Sequence, residues 1–423
     1  MQLVNCRLLD GLGGIFDCAS IEIDEEGRIA RVNTGHARSP LRPGAFDLQG
    51  QFLLPGLIDC HVHLTADASA DPVAARVNSS EGYLAILASR NAERTLRRGV
   101  TTVRDTGAPH FVDASVKRAI EAGLIEGPRM LSSGKMLTMT GGHGCLVGQE
   151  IDGPVEARKF ARLNLKMGAD NIKMVASGGI MTPNVDPRSP SLTVEEMAAG
   201  FEEAHKAGKL TACHAHSLDG VKNAIKAGVR TVEHGVWLDE EACDMMLRQG
   251  CYLCPTLSVV HNLVSHSTAP GILPHVREKV QMVADALATS FRLAVEKGVR
   301  IICGTDAGMP YTYHGETAHE VRLMVAAGVA PHAAIVNATS LSAEALKLSD
   351  RTGAVEVGRF ADLIVVEGDP TADIAVLSRP SYVFRKGKPV LTPQSRGDFP
   401  AECLTGDGDV FARNSAPAGE ALA

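Results

Sequence analysis

The chain has 423 residues, a formal net charge of −7, 45% hydrophobic residues and only 4% aromatic ones. That length suits an α/β barrel with an attachment, and the core must be built from Ala, Val, Ile and Leu. The mild acidity, with no run of five or six like charges, argues against nucleic acid as the main partner, and no apolar run reaches the ~18 residues of a membrane span.

Residues 1–54 read as short strands split by turns: LVNCRLLD, ASIEIDEEGRIARVN and AFDLQGQFLLP. No basic stretch followed by an apolar core opens the sequence, so a cytoplasmic location is the expectation. Residues 55–354 alternate apolar runs with amphipathic helical stretches. The runs are 56–64, 100–107, 129–134, 171–179, 210–217, 231–236, 252–257 and 300–308. Helical stretches such as GYLAILASRNAERTLRRG, SLTVEEMAAGFEEAHKAG and LDGVKNAIKAG each end at a glycine, a normal helix stop. Strands alternating with helices imply a parallel sheet with right-handed crossovers, and eight units predict a (β/α)8 TIM barrel. Residues 355–398 return to short strands, in GAVEVGRFADLIVVEGDP and SYVFRKGKPVL. They are expected to join residues 1–54 in a small β-sandwich domain. The composition of 399–423, rich in Gly, Ala and acids, allows a flexible tail.

Ten cysteines are scattered along the chain, and one pair, Cys251 and Cys254, has CxxC spacing. No second CxxC completes a zinc site, so the pair reads as part of a buried strand. Arg104 and Asp105 end the second run and read as a structural ion pair or rim contact.

A barrel of this kind carries its active site at the C-terminal ends of the strands. Run one ends with His61 and His63, run four carries Lys173, run five carries His214 and His216, run six has His234, and run eight ends with Asp306. Side chains alternate along a strand, so His61 and His63 face the same way, toward the interior. Imidazole and carboxylate donors suit zinc and similar divalent ions. His214 and His216 also share a side, and the residues alone leave both open as ligands. Lys173 lies in an apolar run, where a charged ammonium is costly. Either it reaches solvent or an acid, or its neutral amine takes up CO2 to give a carbamate able to bridge two ions.

Together, PGLIDCHVHL, the internal lysine, HAHS, EHG and GTDAG resemble the amidohydrolase superfamily over nearly the whole chain, FADLIVVEGDP included. TGGHG around His143 is similar to the branch of imidazolonepropionase-like proteins, Xaa-Pro dipeptidases and N-acyl amino acid carboxypeptidases, with the ochratoxin-hydrolysing amidases. The resemblance implies two divalent metal ions, zinc above all. It places His61, His63 and Asp306 at one ion, His214 and His234 at the other, and carbamylated Lys173 between them. It further implies attack on an amide carbonyl by a hydroxide held between the ions, with Asp306 as general base and then acid. His143 would contact the scissile carbonyl or a substrate carboxylate. His216 would bind that carboxylate, and Arg188 is a further candidate for an anionic substrate.

The expected activity is hydrolysis of dipeptides or N-acyl amino acids with a free carboxylate, ochratoxin A among them, by a homo-oligomer. A cyclic-amide or lactone hydrolase is the alternative on the same chemistry. An imidazolonepropionase-like ring hydrolase is less well matched. Such enzymes carry a Glu two residues after the strand-five histidine, where this chain has His216. A non-catalytic scaffold should have lost some of the six metal-site residues, and all six are present.

Overall fold

A computed structural model describes residues 1–35 and 43–395. The tail expected over 399–423 lies outside the described residues. Eight strands form the barrel: Leu57–Val62, Val100–Asp105, Arg129–Leu131, Asn171–Val175, Leu210–Ala215, Thr231–His234, Tyr252–Cys254 and Arg300–Ile301. The ladders are parallel from the first strand to the third and from the fourth to the eighth. Backbone bonds join the two groups: Asn171 N–H donates to Ser132 O at 3.2 Å, and Cys60 N–H donates to Cys303 O at 2.8 Å.

The helices fall where sequence periodicity puts them, and local chemistry starts and stops them. Helix Val194–Lys206 begins at a capping box, Thr193 accepting from Glu196 N–H while the Glu196 carboxylate accepts from Thr193 N–H. Helices Glu81–Arg97 and Leu218–Lys226 begin at Ser80 and Ser217, whose hydroxyls accept from Tyr83 N–H and Gly220 N–H. Their buried faces supply the Ala, Val, Ile and Leu core that the composition demands.

The eighth strand is shorter than its apolar run. Regular pairing stops at Ile301, and the chain then presses against the first strand. A Cβ on Gly304 would lie 2.9 Å from the His61 Cβ and 3.0 Å from its backbone nitrogen, so only glycine fits there. This approach lets Asp306 N–H donate to His61 O at 2.8 Å.

The ends of the chain share a second sheet. Phe52–Pro55 pairs antiparallel with Leu363–Val366, which pairs with Tyr382–Arg385 and through it with Lys388–Leu391. On the other side, Gln2–Leu9 leads to Ile15–Ile23 and Ile29–Thr34. The sheet wraps its own apolar cluster, including Leu3, Leu8, Ile21, Leu53, Leu363 and Phe384. Among the described residues no helix is long and apolar enough to cross a membrane.

Candidate active site

One cavity opens at the C-terminal ends of the barrel strands. His61, His63, His143, Lys173, His214, His216, His234 and Asp306 all line it. They arrive from the first, fourth, fifth, sixth and eighth strands and from the loop after the third. Two of them have left-handed backbones, His234 at φ 72° and Asp306 at φ 62°. Strain of this kind gathers at functional sites, where the surrounding fold holds it in place.

Each histidine in the first tier has one ring nitrogen tied down. His61 Nδ1 lies 2.8 Å from Glu233 Oε2, His63 Nδ1 lies 3.0 Å from Gly107 O, and His234 Nδ1 lies 2.7 Å from Thr256 Oγ1. His214 is held the other way round, its Nε2 lying 3.1 Å from Gly178 O. That fixes the rings as outer-shell partners fix metal ligands, and leaves Nε2 of three rings and Nδ1 of the fourth for the centre. His61 Nε2 and His63 Nε2 each lie 3.4 Å from Asp306 Oδ1, and His63 Nε2 is also 3.4 Å from Thr106 Oγ1.

The donor atoms form two overlapping groups. Those of His61, His234 and Asp306 lie within 4.8 Å of one another, and so do those of His214, His216 and His234. Among the described residues, Asp306 Oδ1 and His216 Nδ1 are buried without a hydrogen-bond partner. Burial drives the His63, His214 and His234 imidazoles well below 6.5, so they are neutral and able to bind a cation. The donor set, its fixed rings and its orphaned carboxylate oxygen fit divalent metal.

Lys173 is 2% exposed, and among the described residues no acid forms an ion pair with it. Burial lowers its amine from the ordinary 10.5, toward the neutral form that reacts with CO2. The third possible metal group, His61, Glu233 and Cys254, is a support rather than a centre. Glu233 is already bound to His61 and to Arg104, and burial pushes the Cys254 thiol well above 9.

Not every expected residue reaches the cavity. Arg188 does not line it: its side chain is 62% exposed and binds Asp186 through Nε at 3.1 Å and Nη2 at 2.8 Å. An arginine satisfied by a carboxylate two residues away has no reason to fold inward. Arg104 is structural but does not pair with Asp105. It crosses the barrel interior to Glu233 Oε1 at 2.7 Å, and Asp105 instead accepts from Leu64 N–H and Gly107 N–H.

Two charged residues escaped the sequence reading. Strand alternation should turn Glu233 away from the side His234 faces, but the left-handed turn at His234 brings both inside. Arg76, from DPVAARVN, lines the cavity at 4% exposure. Nothing in that stretch marks it as buried.

Comparisons place this arrangement among known proteins. The Amidohydrolase family profile matches residues 52–390. The ochratoxinase of Aspergillus niger is 31% identical over 371 residues, covering 79% of this chain and 75% of the relative. The crystal structure of that ochratoxinase superposes with a TM-score of 0.82 at 28% identity, over 93% of this chain and 95% of the other. A Xaa-Pro dipeptidase with methionine bound in its active site superposes with a TM-score of 0.85 at 34% identity, over 92% and 98%. The chain belongs to the amidohydrolase family, whose members are generally metal-dependent hydrolases.

Proposed function

We propose that this protein is a binuclear metal-dependent hydrolase of the amide bond in N-acyl amino acids or dipeptides, with ochratoxin A, an N-aroyl phenylalanine, as a candidate substrate. The observation that carries the reading is the cavity itself: two overlapping donor groups lie at its base, and apolar side chains wall it. The similarity to an ochratoxinase and to a Xaa-Pro dipeptidase supports the same bond type.

His61, His63 and Asp306 would hold one ion, His214 and His234 the other, and Lys173 as its carbamate would bridge. Zinc suits this donor set. When bound, the ions supply Lewis-acid polarisation and an acidified water.

The chain's own residues do the rest. Asp306 accepts a proton from the attacking water and returns it to the leaving amine. Its carboxyl suits both roles, because burial raises it above 3.8. His143 donates from Nε2 to the scissile carbonyl oxygen. Its Nδ1 lies 3.0 Å from Thr182 Oγ1, which sets the ring, and Gly179 leaves the space beside it: a Cβ there would lie 2.6 Å from the His143 Nε2. His216 offers a further polar contact at the same base. Val259, Val260, Leu263, Met309 and Val147 exclude water and favour an apolar substrate side chain.

The test is a hydrolysis screen of N-acyl amino acids and dipeptides with the zinc-loaded protein, alongside metal analysis. Release of free amino acid with about two ions per chain supports the reading. No release across the panel at full zinc loading, or a chain that takes up no metal, refutes it.

A further inference from the structure

Arg76 sits on a short helix, Pro72–Val77, that follows the first barrel strand. Its side chain is buried, yet it lines the same cavity as His63 and Asp306. Nε donates to Pro72 O at 3.3 Å, and among the described residues the buried Nη1 has no hydrogen-bond partner. Among the described residues no carboxylate forms an ion pair with this guanidinium. Asp105, Asp306 and Asp67 attract it only from farther away, and each has another task. Asp105 binds two backbone N–H groups, Asp67 binds Ser69, and Asp306 belongs to the metal-donor group.

A buried cation with an orphaned donor is costly unless something completes it. The missing partner must come from the cavity. It has to be anionic, planar enough for a guanidinium fork, and attached to a body that tolerates Val73, Val147 and Met309. One guanidinium in an apolar wall suits a carboxylate better than a phosphate dianion, which needs more donors.

We propose that Arg76 anchors the free carboxylate of the substrate and holds the amino acid half of an N-acyl amino acid beside His63 and Asp306. The proposal rests on the hydrolase reading above. It moves the carboxylate away from the residues that sequence suggested for it. His143 gives its Nε2 to the scissile carbonyl in that reading, His216 lies among the neutral donors with His214 and His234 rather than offering a cation, and Arg188 is outside the cavity.

The experiment compares N-benzoyl-L-phenylalanine with N-benzoyl-L-phenylalaninamide on the wild type, R76M and R76K. The ratio of kcat/KM for acid over amide should fall roughly 10- to 100-fold in R76M, the size of a lost charge-assisted bond, mostly through KM. R76K should recover part of it, keeping the charge without the fork. If R76M fails to fold, R76K must show the same loss in smaller measure. An unchanged ratio, or an equal fall for acid and amide, overturns the anchor.

Calorimetric binding of L-phenylalanine and L-phenylalaninamide to the zinc-loaded protein separates the two ideas without turnover. Tighter binding of the free acid that vanishes in R76M supports the anchor even where no substrate is cleaved, and in that case only the hydrolase reading falls. Equal binding of the two overturns the anchor.

Discussion

Glu233 is the most exacting test of how the site is held. It is fully buried, and it bridges Arg104, at 2.7 Å, to the ring of His61, at 2.8 Å. Burial alone would raise its carboxyl, but Arg104 and His61 overcome that and hold it well below the ordinary 4.5. The remaining acceptors of the equally buried Arg104 guanidinium are neutral, Cys60 O at 2.6 Å and Thr231 Oγ1 at 2.8 Å. Substituting Glu233→Gln therefore keeps the shape and strands a cation. Breaking one side of a buried pair costs about 3–5 kcal/mol. With an unfolding entropy of about 2.1 cal/mol/K per residue, a chain of this size should lose about 3–6 °C in Tm. The pair's contribution is present above the ordinary carboxylate pKa and is lost as pH falls below it, so the deficit should shrink in acid.

Denaturant unfolding of E233Q, R104M and the double variant isolates the pair. The double variant should be less destabilised than the sum of the singles by about 2 kcal/mol, since it no longer strands a charge. Zinc titration of E233Q should show roughly 10- to 100-fold weaker binding through the loosened His61. Singles that add within about 0.5 kcal/mol, with zinc affinity unchanged, would refute the reasoning.

Three further outcomes are expected. Asp306→Asn should lower kcat by at least about 100-fold in the hydrolysis assay. It should not lower the Tm of the metal-free protein, because it removes a charge that burial disfavours. Cys254→Ala should leave zinc stoichiometry by metal analysis at the wild-type value, since its thiol is neutral and only supports the site. Glu320 accepts from Leu257 N–H, Ser258 N–H and Ser258 Oγ, and so starts helix Leu257–Ser265, which carries Val259, Val260 and Leu263 to the cavity. Burial pushes its carboxyl up to about 8, so its contribution is full below the ordinary 4.5 and lost as pH rises toward 8. Between about pH 5 and pH 8 the wild type should lose more Tm than Glu320→Gln, read by thermal melts, and parallel losses would contradict the assignment.

The rim of the barrel could be read from the chain because each of its residues breaks a local rule. His61, His63, Lys173, His214, His234 and Asp306 are polar groups in or at the end of apolar runs, and a parallel barrel gathers such strand ends at one face. The loop residue His143 came into view only through its resemblance to a family branch. Arg188 shows the limit of that approach. It is a loop arginine of the expected type, and what decided its place was Asp186 two positions away, a partner the sequence displayed but did not rank.

The charges that hold the site fall into a different class, because their partners lie far apart in the chain. Arg104 and Glu233 are 129 positions apart, and His61 and Glu233 are 172 apart. Local reading paired Arg104 with its neighbour Asp105, but adjacent strand residues point to opposite faces and are poorly placed to meet. The rule that singled out Lys173 applies equally to these two residues. A charge buried in an apolar run must be compensated, and Arg104 on the second strand and Glu233 on the sixth are opposite charges whose strands face one barrel interior. Closing the barrel turns that requirement into a specific contact, and the contact orients a ring that faces the metal-donor group. Among the described residues, Arg76 is buried with no such partner from the fold. The same requirement, applied to it, points out of the protein and toward the substrate.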